Sequence, residues 1–197
     1  MGNTLDMISP SNIAIFASGN GSNAEKLIKK AKDLNYQISC LICDNPKAGI
    51  LKKNLQIPVH IIPYDSSKNA HENEILNTLR KYQVNWIFLA GYMRILSKNF
   101  IDEFSYKDQT QIINIHPSLL PKYRGLNAYE KSYYNGDMES GITIHYVDSG
   151  IDTGNIILQG KFKRKENDNL SDFIQRGQEL EHTLYPKILE RVIKYNY

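Results

Sequence analysis

The sequence predicts an α/β fold, a Rossmann-like, mostly parallel twisted sheet flanked by helices, with an antiparallel portion toward the C-terminus. Three observations predict it. Short apolar runs alternate with segments of helical period through residue 90, the signature of strands joined by crossover helices. The first apolar run passes straight into a glycine-rich turn and a helix. After residue 115 the alternation gives way to an aperiodic stretch and then to two strand-like runs.

Residues 12–17 form a buried strand that ends in Ser18-Gly19-Asn20-Gly21-Ser22-Asn23. A helix follows, with Ala24, Leu27, Ile28, Ala31 and Leu34 on one face and Glu25, Lys29, Lys30 and Lys32 on the other. The same logic gives a strand at 38–43, a helix at 46–55, a strand at 59–62 and a helix at 68–82. Residues 84–90 are the most continuous apolar run and belong mid-sheet, covered on both faces. A strand at 112–115 is followed by residues 116–127, which hold two prolines, a glycine and two basic residues without a period and read as a functional loop. Strands are expected at 141–147 and 155–160, joined by residues 148–154. Residues 170–197 read as helical, with a kink or break at Pro186.

The chain of 197 residues, with 41% hydrophobic and 23% charged side chains, fits one domain at 12–197 behind a frayed leader at 1–11. That leader has no basic segment before an apolar stretch, and no apolar run approaches the roughly 20 residues of a membrane span. A cytoplasmic location, with no membrane partner, is the expectation. Cys40 and Cys43 have no second cysteine pair, so they read as buried thiols, and no metal is expected. A net charge of +3, with one basic run at 161–165 that reads as a solvated hairpin flank, gives no nucleic-acid partner.

Three groups of residues carry chemistry. The Gly19 to Asn23 turn lies where a strand meets a helix, so its amides and the helix dipole suit a phosphate, although such turns also serve only to reverse a chain. Read as Gly-x-Gly-x-x-Ala with Asp44 ending the second strand, it also fits a dinucleotide fingerprint and admits a nicotinamide-dependent oxidoreductase. Asn114 and His116 are two apart on a strand and share a face. An amide donor beside an imidazole suits acyl transfer to an amine, which needs a stabilised oxyanion and a moved proton. Asp152, flanked by Gly150 and Gly154, would join them if the loop's glycines turn its carboxylate into a cleft; an ordinary turn is the alternative. Gln178 and Glu181, followed by His182, share a helix face, a pattern also common on solvated surfaces. Met93, Arg94, Ile95 and Leu96 after the central strand either line a pocket or cap the core.

Together these segments resemble the glycinamide ribonucleotide transformylases of the folate-dependent formyltransferase family, in order from Ile13 to Pro186. Ser18 to Asn23 is similar to the family's phosphate loop, Leu89 to Leu96 to its folate-binding stretch, and Asn114-Ile115-His116-Pro117-Ser118-Leu119-Leu120-Pro121 to the signature of 10-formyltetrahydrofolate enzymes. Gln178, Glu181, His182, Tyr185 and Pro186 match its C-terminal pattern. The resemblance implies the formyltransferase fold and transfer of a formyl group from 10-formyltetrahydrofolate to the amine of glycinamide ribonucleotide. It implies that Gly21, Ser22, Asn23 and Gln178 hold the phosphate and that Glu181 contacts the ribose or amine. Met93 to Leu96, with Asn114, would meet the folate, and Lys68 stands where well-known members meet the folate tail with an arginine. Asn114 and His116 would stabilise the oxyanion, and Asp152 would raise the pKa of His116 and keep it charged.

Tyr123-Arg124-Gly125 and Asp152-Thr153-Gly154 lean toward the methionyl-tRNA and sugar-amine enzymes, and Asn127 replaces a histidine of familiar transformylases. A sugar-nucleotide N-formyltransferase is the nearest alternative within the class and is expected to lack the Gly-Asn-Gly-Ser-Asn loop. The expected stop at Tyr197 argues against the tRNA enzyme. A non-enzymatic nucleotide-binding module remains only if Asn114, His116 and Asp152 do not converge. The chain is expected to be a monomer or homodimer.

Overall fold

β1 (Ile13–Ala17) is buried at every position, which only a strand covered on both faces can be. The computed structural model describes residues 11–65, 67–107 and 109–195. From β1 the chain runs through α1 (Ser22–Asp33), β2 (Cys40–Cys43), β3 (Val59–Ile61), α2 (Lys68–Lys81), β4 (Trp86–Leu89), α3 (Lys98–Asp102), β5 (Ser105–Tyr106), β6 (Gln109–Thr110) and β7 (Ile112–His116). It continues through α4 (Ala128–Tyr134), β8 (Glu139–Tyr146), β9 (Ile156–Lys163) and α5 (Leu170–Tyr195). The main sheet has the order β3-β2-β1-β4-β7-β8-β9, parallel from β3 to β7 and antiparallel beyond. β5 and β6 form a separate antiparallel pair.

The two-residue period of each strand divides the core. Ile13, Ile15, Trp86, Phe88, Ile113, Ile115, Ile142 and Ile144 pack on one face with α1 and α5. Ala14, Phe16, Ile87, Leu89 and Ile112 pack on the other with α2 and α3. Burial pushes the Cys40 thiol up to about 12 and raises that of Cys43, so both cysteines are inert core thiols. Among the described residues no helix is long and apolar enough to cross a membrane.

Several local expectations are corrected. The helix expected at 46–55 is a single 3-10 turn at Gly49–Lys52, because Ile50 N donates to Gly19 O (3.1 Å) and ties the segment to the glycine-rich turn. α5 runs through Pro186 unbroken, with Tyr185, Ile188, Leu189 and Val192 packed on the sheet to outweigh one missing amide. Ser11, placed in the frayed leader, is buried and its Oγ donates to Val192 O (3.2 Å). Residues 1–10 of that leader, and 196–197 of the expected helix, lie outside the described residues. In the basic run Lys161 pairs with Glu139 at the surface, but half-buried Arg164 packs on Tyr133, its guanidinium 4.0 Å from the ring centre.

Tyr185 fastens α5 to the middle of the sheet. Its hydroxyl, fully buried, lies 2.9 Å from Leu89 O and 3.0 Å from Ile113 O, at the carboxyl end of β4 and in β7. Tyr185→Phe keeps the ring and leaves these carbonyls without their donor, so we expect a loss of about 1–3 kcal/mol of folding stability in equilibrium denaturant unfolding. A variant as stable as the wild type would show that the carbonyls find other partners.

Candidate functional site

In a parallel sheet the loops after the strands gather at the carboxyl edge, and here β1 lies between β2 and β4, the point where chain order reverses. Ser18, just past β1, joins two of these loops. Its N–H donates to Gly91 O (3.1 Å) and its Oγ accepts from Met93 N (2.9 Å). Gly21 has φ 69°, and a Cβ there would stand 2.3 Å from Ile50 Cδ1, so both conformation and space demand glycine. α1 starts directly after it with no side-chain cap, which leaves first-turn amides for an anion.

β7 supplies the reacting centre. Asn114 and His116 project from the same face, and the antiparallel register of β8 sets His145 opposite Asn114. His116 is 4% exposed. Its Nε2 donates to Tyr123 O (2.8 Å), and its Nδ1 faces Asp152 Oδ2 at 3.2 Å. Tyr123 has φ 54°, a costly conformation for a bulky residue, and that turn places its carbonyl against the imidazole. Asp152 Oδ2 also accepts from Gly125 N (2.8 Å). Asn114 Nδ2 lies 3.2 Å from His145 Nε2 and 3.5 Å from Asp152 Oδ1, while His145 Nδ1 is 2.8 Å from Tyr146 O. The sequence expectation gave the sharp turn at 150–154 to the glycines. Asp152 itself takes the positive φ (51°), and the glycines instead make room, since a Cβ would meet Thr153 Oγ1 at 2.0 Å from Gly150 and Tyr146 O at 1.9 Å from Gly154.

The electrostatics correct a second expectation. Burial is the largest influence on His116 and lowers its pKa; Asp152 and the Tyr123 carbonyl pull upward without overcoming it. The histidine therefore titrates below its ordinary range rather than above it. Burial also pushes Asp152 up, yet contacts with His145, Gly125 and His116 together hold its carboxyl below the usual range. At 3.6 Å from Asp152 Oδ1, His145 Nε2 acts by proximity rather than through a well-formed hydrogen bond.

The other end of the site is built by α5. Glu181 is 7% exposed, and its two oxygens accept from Tyr129 Oη and Asn23 Nδ2, each at 2.6 Å. Burial raises its pKa while these two donors lower it. Asn23 Oδ1 is buried without a partner among the described residues, an acceptor suited to a ligand hydroxyl or N–H.

One cavity of about 320 Å³ spans these groups. Asn23 and Glu181 line it together with Asn114, His116, His145 and Asp152, and so do Met93, Arg94, Ile95 and Leu96. Exposed Met93, Ile95, Leu126 and Ile151 give it an apolar mouth. Arg94 is held by Asp44, from Nε to Oδ2 at 2.6 Å, and stacks on Tyr64 with its guanidinium 4.7 Å from the ring centre. Asp44 is thus buried and engaged by an arginine through one oxygen, not presented openly to a ribose as a dinucleotide reading asks.

Asn114, His116, Asp152, Asn23, Glu181 and the Met93 to Leu96 stretch therefore meet in one place. Gly21 and Ser22 stand at the start of α1 beside Asn23 but are not among the cavity walls. Gln178 is exposed on α5, and half-buried Lys68 opens α2; neither lines the cavity, nor does His182. Sequence reasoning missed His145, Tyr129, Gly125 N and the Tyr123 carbonyl. The antiparallel pairing of β7 with β8 was the signal for His145, while backbone groups carry none. Among the described residues there is no cluster of three or more side chains suited to a metal ion.

The family model described as Formyl transferase matches residues 11–189. The phosphoribosylglycinamide formyltransferase of Bacillus subtilis (strain 168) is 38% identical over 189 residues, which cover 93% of this chain and 95% of that one. The crystal structure of phosphoribosylglycinamide formyltransferase from Bacillus halodurans superposes with a TM-score of 0.86 at 36% identity, covering 95% of this chain and 97% of that one. Glycinamide ribonucleotide transformylase 1 from Geobacillus kaustophilus gives a TM-score of 0.86 at 36% identity, over 93% of this chain and 99% of that one.

Because Asp152 pulls the pKa of His116 upward against burial, Asp152→Asn should lower it further. Titration of the His116 ring proton by NMR reads this directly. An unchanged or higher pKa in the variant would mean that the carboxylate does not act on the imidazole.

Proposed function

The chain belongs to the formyl transferase family, and from that premise we propose that it transfers a formyl group from 10-formyltetrahydrofolate to the amine of glycinamide ribonucleotide, a step of purine synthesis. The observation that carries the reading is the convergence of Asn114, His116 and Asp152 in one cavity, between the Asn23 and Glu181 end and the apolar Met93 to Leu96 mouth. The two ends suit the two substrates. The open start of α1 and the acceptors of Asn23 and Glu181 suit a sugar phosphate, and an apolar mouth lined by Met93 to Leu96 suits a flat pterin.

In this reading the amine nitrogen attacks the formyl carbon, the carbonyl oxygen becomes an oxyanion, and the bond from carbon to the folate nitrogen then breaks as a proton reaches that nitrogen. Asn114 N–H groups turn from His145 and Asp152 to the oxyanion. His116, in its protonated form, adds positive charge beside them. Both ring nitrogens of His116 are engaged, Nε2 by Tyr123 O and Nδ1 by Asp152, so the amine's one proton passes to Asp152 through a water and returns the same way to the departing folate nitrogen. Tyr123 O and Gly125 N keep the histidine and the carboxylate in register throughout. Asp44 and Tyr64 keep the Arg94 side chain at the rim.

A spectrophotometric assay of folate product with a stable 10-formyl folate analogue tests the proposal, with glycinamide ribonucleotide and an amino-sugar nucleotide as alternative acceptors. Turnover with the ribonucleotide alone is expected, and turnover with the amino sugar alone would move the substrate. His116→Ala and Asp152→Asn should each lower kcat by about a hundredfold or more with KM for the ribonucleotide nearly unchanged, because both groups act on transition-state charge and proton transfer. An Asp152→Asn enzyme with near-normal kcat would remove that carboxylate from the mechanism.

A further inference from the structure

Glu181 is a buried carboxylate that, among the described residues, forms no ion pair. Its contacts are two neutral donors, Tyr129 Oη on one oxygen and Asn23 Nδ2 on the other. Tyr185, a titratable neighbour whose pKa Glu181 helps to raise, has its own hydroxyl turned to Leu89 O and Ile113 O. Each carboxylate oxygen can accept more than one hydrogen bond, so two donors fix the group's plane and leave acceptor capacity toward the cavity. Of the two donors only Asn23 lines that cavity. Tyr129 reaches Glu181 from behind, from α4.

The approach of Tyr129 is prepared by a glycine. Gly177 lies one turn before Glu181 on the same face of α5, inside a helix, where glycine is disfavoured. A Cβ at Gly177 would stand 2.3 Å from Tyr129 Cε1 and 2.4 Å from its hydroxyl oxygen. The bare helix backbone thus seats the aromatic ring, and the ring's length carries the hydroxyl to the carboxylate one turn on. Phe173, one turn earlier, closes the seat with an edge-on contact, its ring centre 6.4 Å from that of Tyr129. Gly177, Tyr129 and Glu181 form one device, and through Asn23 it extends to the first turn of α1.

We propose that Tyr129 is a positioning residue for the ribonucleotide: it holds Glu181 in the orientation that accepts the substrate's ribose hydroxyl or amine, and Gly177 is the space that lets it do so. The proposal rests on the functional reading above, which it deepens. It separates the two halves of the reaction, since Tyr129 touches neither the folate mouth nor the groups of the reacting centre.

The test is Tyr129→Phe, which keeps the ring and removes only the hydroxyl. KM for glycinamide ribonucleotide should rise about tenfold, the scale of one hydrogen bond to a charged group, with kcat and KM for the 10-formyl folate within twofold of wild type. Calorimetric titration of the free enzyme with the ribonucleotide should give the same weakening. Tyr133→Phe is the control, because Tyr133 belongs to the same aromatic cluster and donates to Asp168 O (3.1 Å) away from the cavity; its kinetics should be those of the wild type. An unchanged ribonucleotide KM and affinity in Tyr129→Phe, or an equal change in Tyr133→Phe, would overturn the positioning role. A wild-type enzyme that neither binds nor turns over the ribonucleotide would instead overturn the functional reading, and the inference with it. Gly177→Ala, which pushes a methyl group into the ring, should give the same selective rise in KM; a rise confined to the folate would count against the device.

Discussion

The carboxylate of Asp152 is the point at which the reacting end of the molecule is tied together. It takes a backbone N–H from Gly125, faces His116 on β7, and lies beside Asn114 and His145 from two adjacent strands. Its leading partners are a backbone amide and two imidazoles, which keep it ionised while burial works against it. Burial disfavours charge on both groups, yet the donors around Asp152 keep its carboxylate ionised while the buried imidazole leans toward its neutral form. An exposed pair would lose this balance to solvent.

The backbone around it is shaped to the same end. Asp152, Tyr123 and Asn127 all adopt left-handed conformations, and all three lie in the two loops that bracket the imidazole. Strain of this kind persists only where surrounding contacts fix it. Here the contacts are those of the site, from the Tyr123 carbonyl to His116 and from the Asp152 carboxylate to Gly125. The sheet provides the rigid floor, with Tyr185 locking α5 across β4 and β7 directly beneath the cavity.

Much of this architecture was legible in the sequence because burial writes itself into composition. β1, β2 and β4 are continuous apolar runs buried at every position, while edge strand β3 is exposed; the glycine-rich turn was visible, though not that Gly21 lacks room for a side chain. The pairing of Asn114 with His116 followed from the two-residue period of a strand, whereas the helical period joined Glu181 to exposed Gln178 and only the family resemblance singled it out. What the sequence hid falls into two kinds. Register was one: His145 enters the site only because β8 runs antiparallel and sets it opposite Asn114. Competition between opposing influences was the other. The sign of the His116 shift depends on how far burial outweighs one carboxylate, and residue order holds no measure of that. Pro186 and the 46–55 segment show tertiary packing overriding local rules in opposite directions, one helix surviving a proline and another shrinking to a turn.

The change from parallel to antiparallel pairing at β7 explains why the reaction centre sits where it does. α2 and α3 cover the sheet face presented by Ala14, Phe16, Ile87 and Leu89, but that cover ends near Ile112. Further along the same face β7 and β8 carry Asn114, His116, Thr143 and His145, while the alternate residues Ile113, Ile115, Ile142 and Ile144 fill the opposite core. A parallel strand after β7 would need a long crossover, usually a helix, on one face of the sheet. β8 runs antiparallel, and although its connection from β7 carries α4, that helix packs against α5, so it is the β8 to β9 connection that folds over this face and brings Asp152 to the histidine. That loop leaves the polar face held by the carboxylate's own hydrogen bonds and still open to a cavity. The fold thus places its buried polar groups at the one stretch of the sheet where they can be satisfied and reached at once.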